Sequence, residues 1–165
     1  MALTQVFLPQ LKSHSHAFIL NVGSLASFIP IPNKSVYAAT KSFVYAFSSA
    51  LRVELRNTRV SVSCLAPGAT ITNAAVQERV SKALPKSGML RQTPAEVASV
   101  AIAQLLKGNR LIIPGWHNKL TFFLWSVLPR VIAERVVVSI FDKTIPAIEQ
   151  GPVPRASWSL ALRQT

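Results

Sequence analysis

Tyr37 and Lys41 are spaced so that they could act together in proton transfer. They lie four residues apart in a stretch, 37–57, without glycine or proline, and residues four apart on a helix share a face. A free phenol is too weak an acid for efficient proton transfer at neutral pH, and a neighbouring ammonium favours its ionised form. The pair alone is weak evidence, because helices often place a surface tyrosine one turn from a lysine.

Ser24 is a third candidate, thirteen residues before Tyr37. It follows the apolar run 17–22, which predicts a short strand buried on both faces. In open α/β sheets the carboxyl ends of the strands form the ligand crevice. A proline-containing loop over residues 28–35 could therefore return Tyr37 to face Ser24 across that crevice.

The elements that must position these residues alternate between helix and strand. Apolar spacing predicts helices at 1–12, 37–57, from Pro94 to a cap at Gly108, and at 117–141 with a kink at Pro129. Strands are predicted at 17–22, 60–65 and 111–114, a polar loop with a short helix at 73–92, and an irregular tail after Thr144. This order is typical of an α/β domain with a parallel sheet. Three strands are fewer than such a sheet usually has, so we expect further strands upstream of Met1.

Composition excludes several other classes. The net charge is +12, from 18 basic and 6 acidic residues, but the basic residues form no dense cluster and no nucleic-acid-binding motif is present, so we expect no nucleic-acid partner. One cysteine, Cys64, and three histidines provide neither a disulfide framework nor a zinc cage, and Cys64 is predicted to be a small buried hydrophobe. No signal peptide or spanning run is present. We expect a cytoplasmic protein, with peripheral membrane contact left open.

Three short motifs together resemble the short-chain dehydrogenase/reductase family in order and spacing. They are Asn21-Val-Gly-Ser24, Tyr37-Ala-Ala-Thr-Lys41, and Leu65-Ala-Pro-Gly68 with Thr72. The resemblance covers roughly residues 1–116, leaving an apolar and basic helical region at 117–143 and a tail at 144–165. It implies a truncated doubly wound, Rossmann-like parallel sheet. It also implies NAD(P)-dependent interconversion of a carbonyl and a secondary alcohol, with NADP favoured over NAD.

The resemblance assigns roles to individual residues. It implies that Tyr37 is the general acid/base, that Lys41 activates Tyr37 and bonds the nicotinamide ribose, and that Ser24 holds the substrate oxygen. The predicted cofactor contacts beyond Tyr37 and Lys41 are Pro67, Gly68, Thr70 and Thr72. In the family that the sequence resembles, the long helix after the tyrosine commonly pairs with its counterpart in another subunit. In helix 37–57, Phe43, Phe47 and Leu51 would allow that, although core packing also explains them.

The sequence departs from the family at its front end. No glycine-rich phosphate loop occurs anywhere in it, so most of the expected phosphate contacts are absent. Because Met1 falls inside a predicted helix, we favour a piece of a longer reductase over a genuine short protein. One alternative is a non-catalytic relic that serves as an interaction or membrane-associated module. A serine hydrolase is a weaker alternative, since Ser24 does not lie in a G-x-S-x-G elbow.

Residues 117–141 allow three interpretations. A helix at an anionic membrane surface could insert Phe122 and Trp125. A cap could cover an apolar substrate pocket, which would suit a lipid-like substrate. The plainest interpretation is a helix that packs on another subunit or on the missing part of the sheet.

Overall fold

The predicted strands form one parallel sheet in the order β1–β2–β3. The structure is a computed structural model that describes residues 2–71 and 92–142. Strand β1 (Ala17–Val22) pairs with β2 (Val60–Leu65) along its whole length, and β2 pairs with β3 (Leu111–Ile112) at its carboxyl end. In the described ranges no strand pairs with the other edge of β1. Because all three strands are parallel, their carboxyl ends lie at the same edge of the sheet.

Five α-helices accompany the sheet in the described part of the chain. They are α1 (Ala2–Ser13), α2 (Ser35–Glu54), α3 (Pro94–Leu106), α4 (Trp116–Val127) and α5 (Arg130–Asp142), with a short 3₁₀ turn at Leu25–Ser27 between β1 and α2. The α/β fold with a parallel sheet and covering helices is confirmed. None of these described helices is long and apolar enough to cross a bilayer.

Alternation along β2 places helices on both faces of the sheet, because successive strand residues point to opposite sides. One core cluster contains Val60 and Val62 and packs against α2, and the other contains Leu65 and packs against α3. The first consists of Ala17, Leu51, Leu55, Val60 and Val62; the second of Leu65, Val97, Ala101 and Ile112. This β-branched, apolar strand is thus the centre of the core, as expected for a strand covered on both faces.

Local signals set the bounds of α3. The Thr93 hydroxyl accepts from the amide of Glu96 at 3.3 Å, and the Glu96 carboxylate accepts from the amide of Thr93 at 2.8 Å, which completes the predicted capping box. At the other end Gly108 has φ of 70°, a left-handed conformation that glycine adopts without strain. Both ends agree with the sequence prediction.

Two other helices differ from their predicted bounds. Helix α2 ends at Glu54 rather than at Asn57, because Leu55 turns into the core and its carbonyl accepts from the Thr58 hydroxyl at 2.7 Å. The predicted kink at Pro129 is a complete break between α4 and α5. A residue before proline is forced out of the helical region, and Leu128 is extended with ψ of 135°.

Three predictions fall partly or wholly outside the described residues. The predicted loop at 73–92 lies there except for Gln92, and the tail after Thr144 lies there entirely. The proposed cofactor contact at Thr72 is also outside. They stay predictions.

Candidate active site

Ser24 lies directly beyond the carboxyl end of β1. The amide of Gly23 donates to the Leu65 carbonyl at 2.8 Å, which continues the pairing with β2 one residue past Val22. Ser24 is extended, with φ of −167° and ψ of 162°, and its Oγ accepts from the amide of Ala26 at 3.2 Å, capping the 3₁₀ turn. A hydroxyl that accepts one bond still has its proton to donate. Within residues 2–71 and 92–142 the Ser24 hydroxyl donates to no protein acceptor, so its proton could bond a ligand oxygen there.

Lys41 reaches the same edge of the sheet from α2. Its Nζ donates to the carbonyl of Val22, the last residue of β1, at 3.0 Å, and lies 5.8 Å from the centroid of the Tyr37 ring. Tyr37 itself is 45% exposed at the start of α2. The helix thus places the phenol and the ammonium one turn apart, beside the strand end that leads into Ser24.

Two serines join the loop that carries Ser24 to the helix that carries Lys41. The Ser27 hydroxyl donates to the Lys41 carbonyl at 2.8 Å, and the Ser42 hydroxyl donates back to the Ser27 carbonyl at 2.8 Å. Both bonds are short and partly buried, so two hydrogen bonds hold the loop that carries Ser24 against α2. Sequence reasoning missed both residues, because serines in a loop or a helix carry no signal of their partner.

The loop after β2 is tied to the loop after β1. The Pro67 carbonyl accepts from the amide of Leu25, next to Ser24, at 3.1 Å. Thr70 Oγ1 donates to the Gly68 carbonyl at 3.3 Å, so this hydroxyl is partly engaged within its own loop. Of the predicted cofactor contacts on this loop, Pro67 lies beside the Ser24 loop, and Gly68 and Thr70 follow it along the chain.

Cys64 lies beneath this edge, on the same face of β2 as Val62. Cys64 is 1% exposed. A Cβ on Gly23 would lie 3.1 Å from its Sγ, so a larger residue at position 23 would have to displace the thiol slightly. Burial raises the pKa of the Cys64 thiol, against the lowering effects of a Ser48 hydrogen bond, the Gly23 backbone and the Lys41 charge. The prediction that Cys64 is a buried hydrophobe is confirmed.

The model of the short chain dehydrogenase family matches residues 1–83, a segment that contains Ser24, Tyr37 and Lys41. The chain belongs to this family. Among curated relatives, an NADP-dependent 3-hydroxy acid dehydrogenase of Escherichia coli is 41% identical over 66 residues, covering 40% of this chain and 27% of the relative. An NADP-dependent 3-hydroxy acid dehydrogenase of Schizosaccharomyces pombe is 33% identical over 119 residues, covering 68% and 45%.

The fold of this chain also matches solved structures. A short chain dehydrogenase from Burkholderia cenocepacia in complex with NADP superposes with a TM-score of 0.66 at 22% identity, over 81% of this chain and 52% of the other. The chain thus spans under half of the two curated relatives and about half of this structure.

An aromatic series, outside the predicted site, connects α4 to the loop that follows Ser24. The Phe28 ring packs edge-on against Tyr45 of α2 at 4.6 Å between centroids, and against Phe122 of α4 at 4.8 Å. Tyr45 follows Lys41 by one helical turn and therefore shares its face. This contact could not be predicted, because its three members are far apart along the chain.

Proposed function

We propose that this chain supplies the Ser–Tyr–Lys side of an NAD(P)-dependent oxidoreductase that interconverts a carbonyl and a secondary alcohol. The observation that carries the proposal is the bond from Lys41 Nζ to the Val22 carbonyl. It holds the ammonium at the strand end that leads into Ser24, one turn from the Tyr37 phenol. A proton donor or acceptor, its activating cation and a hydroxyl donor thereby share one edge of the sheet.

Each side chain has a distinct role in the proposed reaction. The exposed phenol of Tyr37 gives its proton to the substrate oxygen during reduction and takes it back during oxidation. The Ser24 hydroxyl donates to the same oxygen and stabilises the negative charge that develops on it. The Lys41 ammonium, 5.8 Å from the centroid of the Tyr37 ring, holds the cofactor beside the phenol.

The donors at this edge fit the nicotinamide ribose end of the cofactor. An ammonium has three donors, and Lys41 has one hydrogen bond in the described structure, to Val22, which leaves two for ribose hydroxyls. The cofactor, when bound, supplies the hydride. The sequence lacks a glycine-rich phosphate loop, so the residues proposed here hold one end of the dinucleotide. Two curated relatives are named as NADP-dependent, which supports NADP over NAD.

The aromatic series supports an apolar substrate. Phe28 lies four residues after Ser24 and packs on Tyr45 and Phe122, and in this proposal the three rings form an apolar wall of the substrate site. Such a wall excludes water and favours a hydrophobic substituent on the carbonyl carbon. In this role α4 is the cap over the substrate pocket.

The outer face of α4 supports contact with an anionic membrane surface, although not through the residues first expected. Phe122 packs on Phe28 and Trp125 is half-buried, so neither is placed for insertion. The exposed apolar side chains of α4 are Trp116, Leu120, Phe123, Leu124 and Val127. Their spacing forms one stripe along the helix, and Lys119 lies beside it, as in helices that lie on anionic bilayers.

Association of two copies is supported at one of the three predicted positions of α2. Phe43 is 54% exposed, whereas Leu51 is 6% exposed and belongs to the core. Phe47 packs partly on that core and stacks on Phe43 at 6.3 Å. On α1, Leu3, Val6 and Phe7 are also exposed. We infer a homo-oligomer that uses Phe43 and the outer face of α1, with Leu51 excluded from the contact.

Replacing Tyr37 with phenylalanine tests the proposed chemistry. Tyr37→Phe removes one hydroxyl from an exposed side chain, so the thermal midpoint should stay unchanged. Turnover of an apolar ketone with NADPH should fall by about 10²–10⁴-fold, the usual contribution of a general acid/base. Nicotinamide fluorescence at steady state measures both directions of the reaction. Full turnover in the variant would remove Tyr37 from the mechanism.

A non-catalytic role is the second candidate, supported by the exposed apolar stripe of α4, which could serve as a contact surface. As an interaction module, it would keep Ser24, Tyr37 and Lys41 without using them. A folded chain that binds anionic vesicles or a second copy, but neither NADPH nor NADH, would favour this candidate.

A further inference from the structure

Two buried carboxamides lie behind the loop that follows β2. Gln92 is 9% exposed and Asn118 is 4% exposed, and only two other polar residues in the described ranges are buried. Burying an amide is unfavourable unless its donors and acceptors are bonded. The contacts of these two side chains therefore show what they hold in place.

Asn118 joins α4 to the loop after β2. Its Nδ2 donates to the Pro114 carbonyl at 2.7 Å and to Gln92 Oε1 at 3.0 Å. Its carboxamide also packs directly on Gly68, where an added Cβ would lie 2.4 Å from Oδ1 and 2.7 Å from Nδ2. Only glycine allows the loop backbone to approach this closely, so Gly68 and Asn118 fix each other's position.

Gln92 holds the same loop through its backbone. Its amide donates to the Ala69 carbonyl at 3.3 Å, and its carbonyl accepts from the amide of Ile71 at 3.1 Å. Thr70 lies between these two bonds and forms the bridge with Gln92. The loop is therefore bonded to Gln92 immediately after the residue that packs on Asn118.

The Gln92 side chain completes the link in either orientation of its amide. In one, Oε1 accepts from Asn118 Nδ2. In the other, Oε1 accepts from the amide of Gly115 at 3.3 Å and Nε2 donates to the Pro114 carbonyl at 3.2 Å. In both orientations Gln92 is bonded to residues 114–118. It therefore ties the loop to the segment that leads from β3 into the first turn of α4.

We propose that Gln92 and Asn118 are positioning residues that hold the backbone of the loop 67–71 in place beside the proposed nicotinamide site. The inference rests on the proposed function, since Pro67, Gly68 and Thr70 are the predicted cofactor contacts on this loop. The bond from the amide of Leu25 to the Pro67 carbonyl carries the same restraint to the Ser24 loop. Neither carboxamide touches the reacting atoms; each acts through the loop.

Amide hydrogen exchange tests the restraint without any cofactor. In Asn118→Ala and in Gln92→Ala, the amides of Leu25 and Ile71 should exchange at least tenfold faster. The amides of Gly23, Cys64 and Ala66, which are bonded along the sheet, should keep their wild-type rates. Asn109→Ala is the matched control, because Asn109 belongs to an exposed pair with the side chain of Gln104, and it should change neither group.

Gly68→Ala approaches the same contact from the loop side and serves if Asn118→Ala does not fold. Its methyl group cannot coexist with the present position of Asn118, so the same two amides should exchange faster. In the Gly68→Ala/Asn118→Ala double variant the effect should be smaller than the product of the two single effects, since the residues share one contact. Equal acceleration at all amides, or none at Leu25 and Ile71, would overturn the inference.

Cofactor affinity then separates this inference from the proposed function. If the wild-type chain binds NADPH, Asn118→Ala and Gln92→Ala should weaken binding at least tenfold, whereas Asn109→Ala should not. Unchanged NADPH affinity in a variant whose Leu25 and Ile71 amides exchange faster would show that the position of the loop does not affect nicotinamide binding. That result would overturn the inference. A wild-type chain without NADPH affinity would count against the proposed function, and the exchange rates would still decide whether the carboxamides position the loop.

Discussion

At the scale of single residues, Cys64 illustrates how burial beneath the candidate site controls chemistry. Its thiol is surrounded by β2, Gly23 and Ser48, and desolvation raises its pKa above the ordinary value of 9.0. Only the thiolate reacts readily with disulfides and electrophiles. We therefore expect Cys64 to stay unreactive in the folded chain and to take no part in catalysis.

The raised pKa of Cys64 predicts a pH dependence of stability. Above pH 9 the unfolded chain loses the thiol proton while the folded chain still binds it, so the contribution is complete below pH 9 and is lost as pH rises towards the folded-state pKa. From pH 8 to 10.5, the free energy of unfolding should fall more steeply in the wild type than in Cys64→Ala, by up to about 1.4 kcal/mol per pH unit. Urea unfolding measures both slopes, and equal slopes would contradict the assignment.

Residues whose partners are close in sequence could be predicted, and those with distant partners could not. Thr93 and Glu96 lie only three residues apart in the sequence, so their capping box could be predicted from it. Asn118 and Gln92 meet across 26 residues, and nothing in their local patterns indicates burial. The proposed catalytic residues, Ser24, Tyr37 and Lys41, were predicted because their spacing resembles a family, while their mutual geometry depends on how β1 and α2 pack.

At the scale of elements, α4 has two apolar faces with different partners. Asn118 and Phe122 face the body of the molecule, where they contact Gln92 and Phe28. Leu120 and Phe123 lie on the opposite, exposed face. Of the three interpretations that the sequence left open, only the membrane helix placed Phe122 and Trp125 outward, and the packing of Phe122 on Phe28 does not fit that placement. Both faces of α4 are aromatic, so only the packing distinguishes them.

The exposed stripe of α4 predicts binding to anionic vesicles. The wild-type chain should co-sediment with phosphatidylserine-containing liposomes, and Leu120→Glu/Phe123→Glu should bind at least tenfold less because it places carboxylates in the stripe. Thr121→Glu/Ser126→Glu adds the same charge at exposed positions outside the stripe and should bind much more tightly than the stripe variant. Equal loss in both variants would indicate a purely electrostatic effect, and no vesicle binding by the wild type would remove the membrane contact.

The break at Pro129 is a further lesson at this scale. Proline removes one backbone donor and excludes the preceding residue from helical geometry, so a kink and a complete break begin from the same sequence signal. Leu128 takes the extended conformation, and buried Ala133 and Val137 show that α5 packs through its own face. Tertiary packing decides between the two outcomes.

At the scale of the whole molecule, the sheet edge and the candidate site lead to the same conclusion. Strand β1 is paired on one side in the described ranges, and Val22 at its end is 54% exposed. The residues proposed for catalysis lie at the carboxyl end of β1, whereas the sequence contains no glycine-rich loop for the cofactor phosphates. We therefore expect a site that binds the nicotinamide end of the dinucleotide and depends strongly on Lys41.

The most direct test is a titration of the purified chain with NADPH and with NADH, in which nicotinamide fluorescence reports binding. The wild type should show saturable binding, and Lys41→Ala should bind at least tenfold more weakly because two ribose hydrogen bonds to a charged donor are lost. Lys107→Ala, which removes an exposed lysine at the end of α3, should bind as the wild type does. Unchanged affinity in Lys41→Ala, or no binding by a folded wild-type chain, would contradict the proposed oxidoreductase site.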